Sequence, residues 1–116
     1  MIHLNFRTVK PEARETVELW LSELNGLRRD EALESLRAEG VRHETAVILD
    51  TSDGPILVHA MESDDIDRAR RIGAASTLPV DKRHHEVMRA ADGGPAASRV
   101  LLDLHDLHDV HRVAGD

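Results

Sequence analysis

The 116-residue chain has no cysteine and no tyrosine, and only one Phe and one Trp. Without thiols there can be no disulfide framework, no thiolate metal site and no thiol nucleophile. With so few aromatic rings the core must come from Leu, Val, Ile and Ala, and a second copy would be a natural supplement to so thin a core. The formal net charge is −7 with every histidine neutral, which argues against a nucleic-acid backbone as partner. No apolar run approaches the ~20 residues needed to cross a bilayer, and Met1-Ile2-His3-Leu4 lacks a signal-peptide pattern. The expected location is the cytoplasm, with no membrane partner. A Gly-rich phosphate loop, a His-Glu-x-x-His pair and a Gly-x-Ser-x-Gly elbow are also missing.

Hydrophobic periodicity carries most of what is there. Ile2, Leu4 and Phe6 alternate with His3, Asn5 and Arg7, the signature of a strand with one buried face. Pro11 opens a helical pattern in which Ala13, Val17, Trp20, Leu21 and Leu24 recur at three- and four-residue spacing. Asn25-Gly26 breaks it; Leu27, Ala32, Leu33 and Leu36 resume it, and Gly40 ends it. Val41 to Leu49 and Ile56 to Met61 read as strands joined by the turn Thr51-Ser52-Asp53-Gly54. Ser63-Asp64-Asp65 caps a helix with apolar positions at Ile66, Ala69 and Ile72. Asp81 is the expected N-cap of a short helix running to about Ala91. Gly93-Gly94-Pro95 reads as a stop and Ser98 to His105 as the fourth strand.

The order implies one ferredoxin-like α+β domain over residues 1–105, a split β-α-β plan with a four-stranded antiparallel sheet and helices on one face. Residues 106–116 read as an acidic, His-containing tail. Placing Ser52-Asp53 at the hairpin tip pairs Leu49 with Ile56, Val47 with Val58 and Thr45 with Ala60. These residues, with Ile2, Leu4, Phe6, Val100, Leu102 and Leu104, are expected beneath the helices. The other face then carries His3, Asn5, Arg7, Glu44, Ala46, Ile48, Leu57, His59, Met61, Leu101, Asp103 and His105. Such a mixed face, closed against a second copy, would line a cavity for a small ligand.

Several pieces resemble an uncharacterised bacterial family of the dimeric α+β barrel group. They are Trp20-Leu21-Ser22-Glu23-Leu24, Asp30-Glu31-Ala32-Leu33, Glu39-Gly40-Val41, the hairpin, Ser63-Asp64-Asp65-Ile66, and Ser76-Thr77-Leu78-Pro79-Val80-Asp81 followed by His84. That broader group includes small polyketide cyclases, cofactor-independent monooxygenases and haem-degrading enzymes. The resemblance implies a homodimeric barrel with a cavity on each sheet, and it supplies no reaction.

Candidate chemistry concentrates on histidines. His84 and His85 are expected in the first turn of a helix, where the positive helix end favours neutral imidazole, a form suited to a general base. Asp81 either orients His84 or caps the backbone. On the sheet, His59 is a candidate proton carrier and Arg7 a holder of a carboxylate, enolate or phenolate oxygen. His3, Asn5, Glu44, Met61, Asp103 and His105 are the remaining candidate ligand contacts, with Arg7 paired to Glu44 or Asp103 in the structural reading. The run Asp103-Leu104-His105-Asp106-Leu107-His108-Asp109-Val110-His111 repeats Asp-apolar-His, yet a spacing of three suits neither a strand nor one helical face. The expectation is a cofactor-free acid-base enzyme of cyclase, isomerase or dehydratase type acting on a ketide-like carbonyl compound. A non-catalytic binding module and a His-based metalloprotein are the rivals.

Overall fold

The computed structural model describes residues 1–105. They form one four-stranded antiparallel sheet and four α-helices, in the order β1 (Ile2–Val9), a 3-10 turn (Pro11–Ala13), α1 (Arg14–Asn25), α2 (Arg29–Glu39), β2 (Val41–Thr51), β3 (Gly54–Ser63), α3 (Ile66–Ala75), α4 (Pro79–Ala91) and β4 (Asp92–Pro95). The strand order across the sheet is β2-β3-β1-β4. The tail assigned to 106–116, and with it the rest of the Asp-apolar-His run, lies outside the described residues.

Local chemistry accounts for the element boundaries. Pro11 starts the 3-10 turn, where its missing N–H and fixed φ cost nothing. At the end of α2, Gly40 takes φ +75° and its N–H returns to the carbonyls of Leu36 and Arg37, a left-handed cap that a Cβ would strain. Asp65 caps α3 by accepting from the Arg68 N–H at 3.0 Å, as its position suggested. The hairpin register matches expectation: Leu49 faces Ile56, Val47 faces Val58 and Thr45 faces Ala60.

Three expectations fail. First, the fourth strand is Asp92–Pro95, not Ser98 to His105. The Gly-Gly-Pro run that reads as a stop is the strand itself, because Gly93 lies so close to β1 that a Cβ there would sit 2.7 Å from Thr8 Oγ1. Residues 96–105 are irregular, and Leu102 is 75 % exposed, so Val100, Leu102 and Leu104 cover no core.

Second, α4 begins at Pro79, with Leu78 as N-cap and no side-chain capping bond. Asp81 therefore caps nothing, and His84 and His85 stand in the second turn.

Third, the two faces of the sheet are exchanged. The residues of β1, β2 and β3 share faces as expected, whereas those from Val100 to His105 join neither face, and the helices cover the mixed face. Leu57, 5 % exposed, packs with Val17, Trp20, Val80 and Val87, and Ala46 and Ile48 lean on the same cluster. The all-apolar face stays open, leaving Leu4 at 50 % and Leu49 at 52 % exposure, with Ile2 and Val47 beside them. The physical reason is handedness. β1 and β2 both run antiparallel to β3 and hence parallel to each other. The face that a crossover between parallel strands covers is set by its chirality, not by which side is greasier.

Candidate functional site

Because the mixed face lies under the helices, its polar residues meet α4 and α1 inside one subunit. A cleft of about 400 Å³ opens between the sheet and the C-terminal half of α4, within the size range of small-molecule sites. Asn5, Arg7 and His59 supply its polar wall from the sheet, and Val9, Val17, Leu57 and Met88 its apolar wall.

Arg7 is held by Asp92, the first residue of β4. Its Nε and Nη2 donate to the two carboxylate oxygens, the first at 2.9 Å. The partner is thus neither Glu44 nor Asp103. The pair raises the guanidinium pKa and holds the Asp92 carboxyl below its ordinary range, the hydrogen bond contributing most to each shift. Asp92 also accepts from the Gly94 N–H, so the carboxylate that fixes Arg7 is itself fixed by the β4 backbone.

His59 sits across the ladder from Asn5. Its Nε2 is shut off from solvent and finds no hydrogen-bond partner among the described residues. Burial pushes its pKa down, with Glu44 opposing the shift. The ring stacks on His84 of α4 at a centroid separation of 6.5 Å. His84 Nδ1 accepts from the Trp20 indole N–H at 2.9 Å, which places the His84 proton on Nε2. Burial, followed by the neighbouring His59 and His85, drives His84 down to about 4, against a smaller opposing pull from Asp81. Both imidazoles are therefore neutral near pH 7.

The other candidates divide. His85 flanks His84 at 6.5 Å between ring centroids and is half-buried. His3 and Glu44 both face Met61 from neighbouring strands, towards the end of the sheet away from Arg7. Asp103 and His105 lie beyond β4 in exposed chain and join no site. Asp81 is buried and accepts from the hydroxyls of Ser35 and Ser76, both at 2.5 Å, tying α2 to the α3–α4 link. Among the described residues no three His, Asp or Glu side chains come together as a metal group would require.

Three participants escaped the sequence reading. Trp20 read as core, which it is at 6 % exposure, and its indole N–H is the part that matters here. Asp92 was hidden in an apparent loop, and Arg89 of α4, which borders the cleft, carried no signal. Only the Asp-Gly-Gly-Pro composition of a tight edge strand offered a clue, and it reads equally as a turn.

Fold and site together define an α+β domain with a small-molecule-sized cleft between its sheet and a helix, bordered by the His59 imidazole and a carboxylate-pinned guanidinium. The chain belongs to the family of unknown function DUF6176, whose model matches residues 2–109. No curated protein and no solved structure matches it.

Proposed function

We propose that this protein is a homodimer of the ferredoxin-like, dimeric α+β barrel type that binds a small carbonyl compound in the cleft and moves a proton on it. One observation carries the reading: His59 has a solvent-excluded Nε2 without a partner. A buried polar atom left unpaired costs roughly 1–3 kcal/mol, and His59 also lines the cleft, so a ligand that parts the side chains over Nε2 would complete it. The same imidazole is neutral, as a general base must be.

In this reading His59 takes a proton from the carbon beside the carbonyl. The electron pair of that C–H bond moves into an enolate, and its oxygen accepts from the Asn5 amide or from Arg7 Nη1, which Asp92 leaves unused. Returning the proton elsewhere gives isomerisation; loss of a β-hydroxyl or attack on a second carbonyl gives dehydration or cyclisation. His84, with its proton held on Nε2 by Trp20, is the adjacent donor. Both elements of the site, the ketide-like substrate class and the second subunit, are proposals supported by this chemistry and by the open apolar face.

The test needs no knowledge of the full reaction. Wild-type protein in deuterium oxide should accelerate deuteration beside the carbonyl of a β-ketoacyl panel, followed by proton NMR. His59→Asn should lose that acceleration while keeping its fold and size. Equal exchange rates for the two proteins would sink the assignment to His59. Binding without exchange by the wild type would favour a non-catalytic binding module instead.

A further inference from the structure

The cleft continues past His59 and Arg7, beyond the groups that the proposed chemistry uses. From the Asn5–His59 pair it follows β1 to Val9, whose register partner is Asp92. Four residues of strand at ~3.3 Å each span roughly 13 Å. Val9, Leu57 and Met88 line the intervening length. At the far end lies Arg89, in the last turn of α4.

Charge along this path is unevenly matched. Arg7 and Asp92 cancel each other. His59 is held neutral by burial. Arg89 borders the same cleft, and no carboxylate lies within ion-pair distance of it among the described residues. Among the described residues, one exposed cation without an ion-pair partner thus borders a mostly apolar cleft, in a chain of net charge −7. The other large cleft, about 620 Å³ near the α3 N-terminus, differs: Arg42 there is paired with Asp64, and Glu39 and Asp65 line it together with Arg37 and Arg68.

We infer that the cleft takes an amphipathic monoanion, a carboxylate on an apolar stem, with the carboxylate at Arg89 and a neutral polar group at Asn5 and His59. This deepens the preceding proposal and shares its cleft, but it concerns recognition and not proton transfer. Arg89 also has a plain structural role, since a cation in the last turn balances the helix dipole. That role does not involve a ligand, so ligand affinity separates the two. A guanidinium grips a carboxylate through two parallel N–H donors, which an ammonium cannot reproduce.

The probes are octanoate, octanol and octylamine, of equal chain length, titrated into the full chain and followed by amide chemical-shift changes. Octanoate should bind at millimolar concentration or tighter and perturb Val9, Met88 and Arg89, whereas the alcohol and the amine bind at least about tenfold more weakly. Arg89→Gln should weaken octanoate about tenfold, and Arg89→Lys should recover part of the loss. Octanoate that fails to bind, octanol that binds equally, or Arg89→Gln with wild-type affinity would overturn the inference. A protein that binds octanoate through Arg89 yet exchanges no protons overturns only the catalytic reading. One that exchanges protons on neutral carbonyl compounds yet ignores octanoate overturns only this one.

Discussion

Two partly buried ionisable residues give the molecule opposing responses to acid. Burial first, then the carboxylates of Asp81 and Glu44, raise the Glu39 pKa to about 7 from an ordinary 4.5, with the Ser35 hydroxyl opposing. A raised carboxyl contributes stability that is complete below pH 4.5 and lost as pH climbs through 7. His84 is lowered from 6.5 to about 4, so its contribution is complete above 6.5 and lost as pH falls through 4. Between about 4.5 and 6.5 the two slopes cancel. Glu39→Gln removes one of them. The variant should melt higher than wild type at pH 8 and show a steeper loss of melting temperature on acidification through that window. Superimposable pH profiles for the two proteins would contradict this account of Glu39.

At the scale of elements, the short strand β4 holds the site together out of proportion to its four residues. It supplies Asp92, and thereby the position of Arg7 on β1. Its seating depends on Gly93, where an added Cβ would meet Thr8 Oγ1 at 2.7 Å and the Thr8 carbonyl oxygen at 3.3 Å. Thr8 cannot easily yield, since its hydroxyl donates to the Gly94 carbonyl at 3.0 Å. Gly93→Ala should therefore cost about 1–3 kcal/mol, as overpacking does, measured by urea unfolding. The Arg7 Nε–H resonance should shift with it as the ion pair loosens. A variant with unchanged stability would mean that β4 is not tightly seated.

Considered whole, the molecule has one finished face and one unfinished face. Ile2 and Leu4 on β1 and Val47 and Leu49 on β2, the two strands that flank β3, remain half or more exposed. A contiguous apolar sheet of this kind fits a copy of itself about a two-fold axis, which is why the proposed dimer closes through this face and leaves the cleft within each subunit. Leu49→Lys should shift the protein from dimer to monomer by light scattering while its far-UV spectrum is retained. A wild type that is monomeric at micromolar concentration would remove the dimer from the proposal. Among the described residues no helix is long and apolar enough to cross a membrane.

Much of this was legible in the residues. Period-two alternation, the Thr51–Gly54 turn and the caps at Asp65 and Gly40 depend on neighbours in the chain. Strand pairing within the hairpin, the helix order and the set of residues sharing each face followed from them. The presence of His84 and His85 on a helix was legible too, although the expected N-cap Asp81 lies three residues past the observed one, Leu78, so both histidines fell one turn too early. Trp20 as the hydrogen-bond donor to His84, Asp92 as the partner of Arg7 and Arg89 at the cleft mouth were not legible. Each contact joins residues more than 60 positions apart or depends on the strand identity of a Gly-rich stretch.

By itself the amino-acid order determined the periodicities, the turns and the grouping of His3, Asn5, Arg7, His59 and Met61 on one face, because these arise from backbone geometry over a few residues. Tertiary structure alone decided which face the helices cover, since crossover handedness chooses it and both faces carry enough Leu, Ile and Val to serve as a core. It also decided that Asp92–Pro95, not Ser98 to His105, completes the sheet, because close approach to Thr8 admits glycine and excludes a side chain. Those two choices move the polar residues from an interface between subunits to a cleft inside one. They bring an apparent loop aspartate into its wall and an exposed helix arginine to its border.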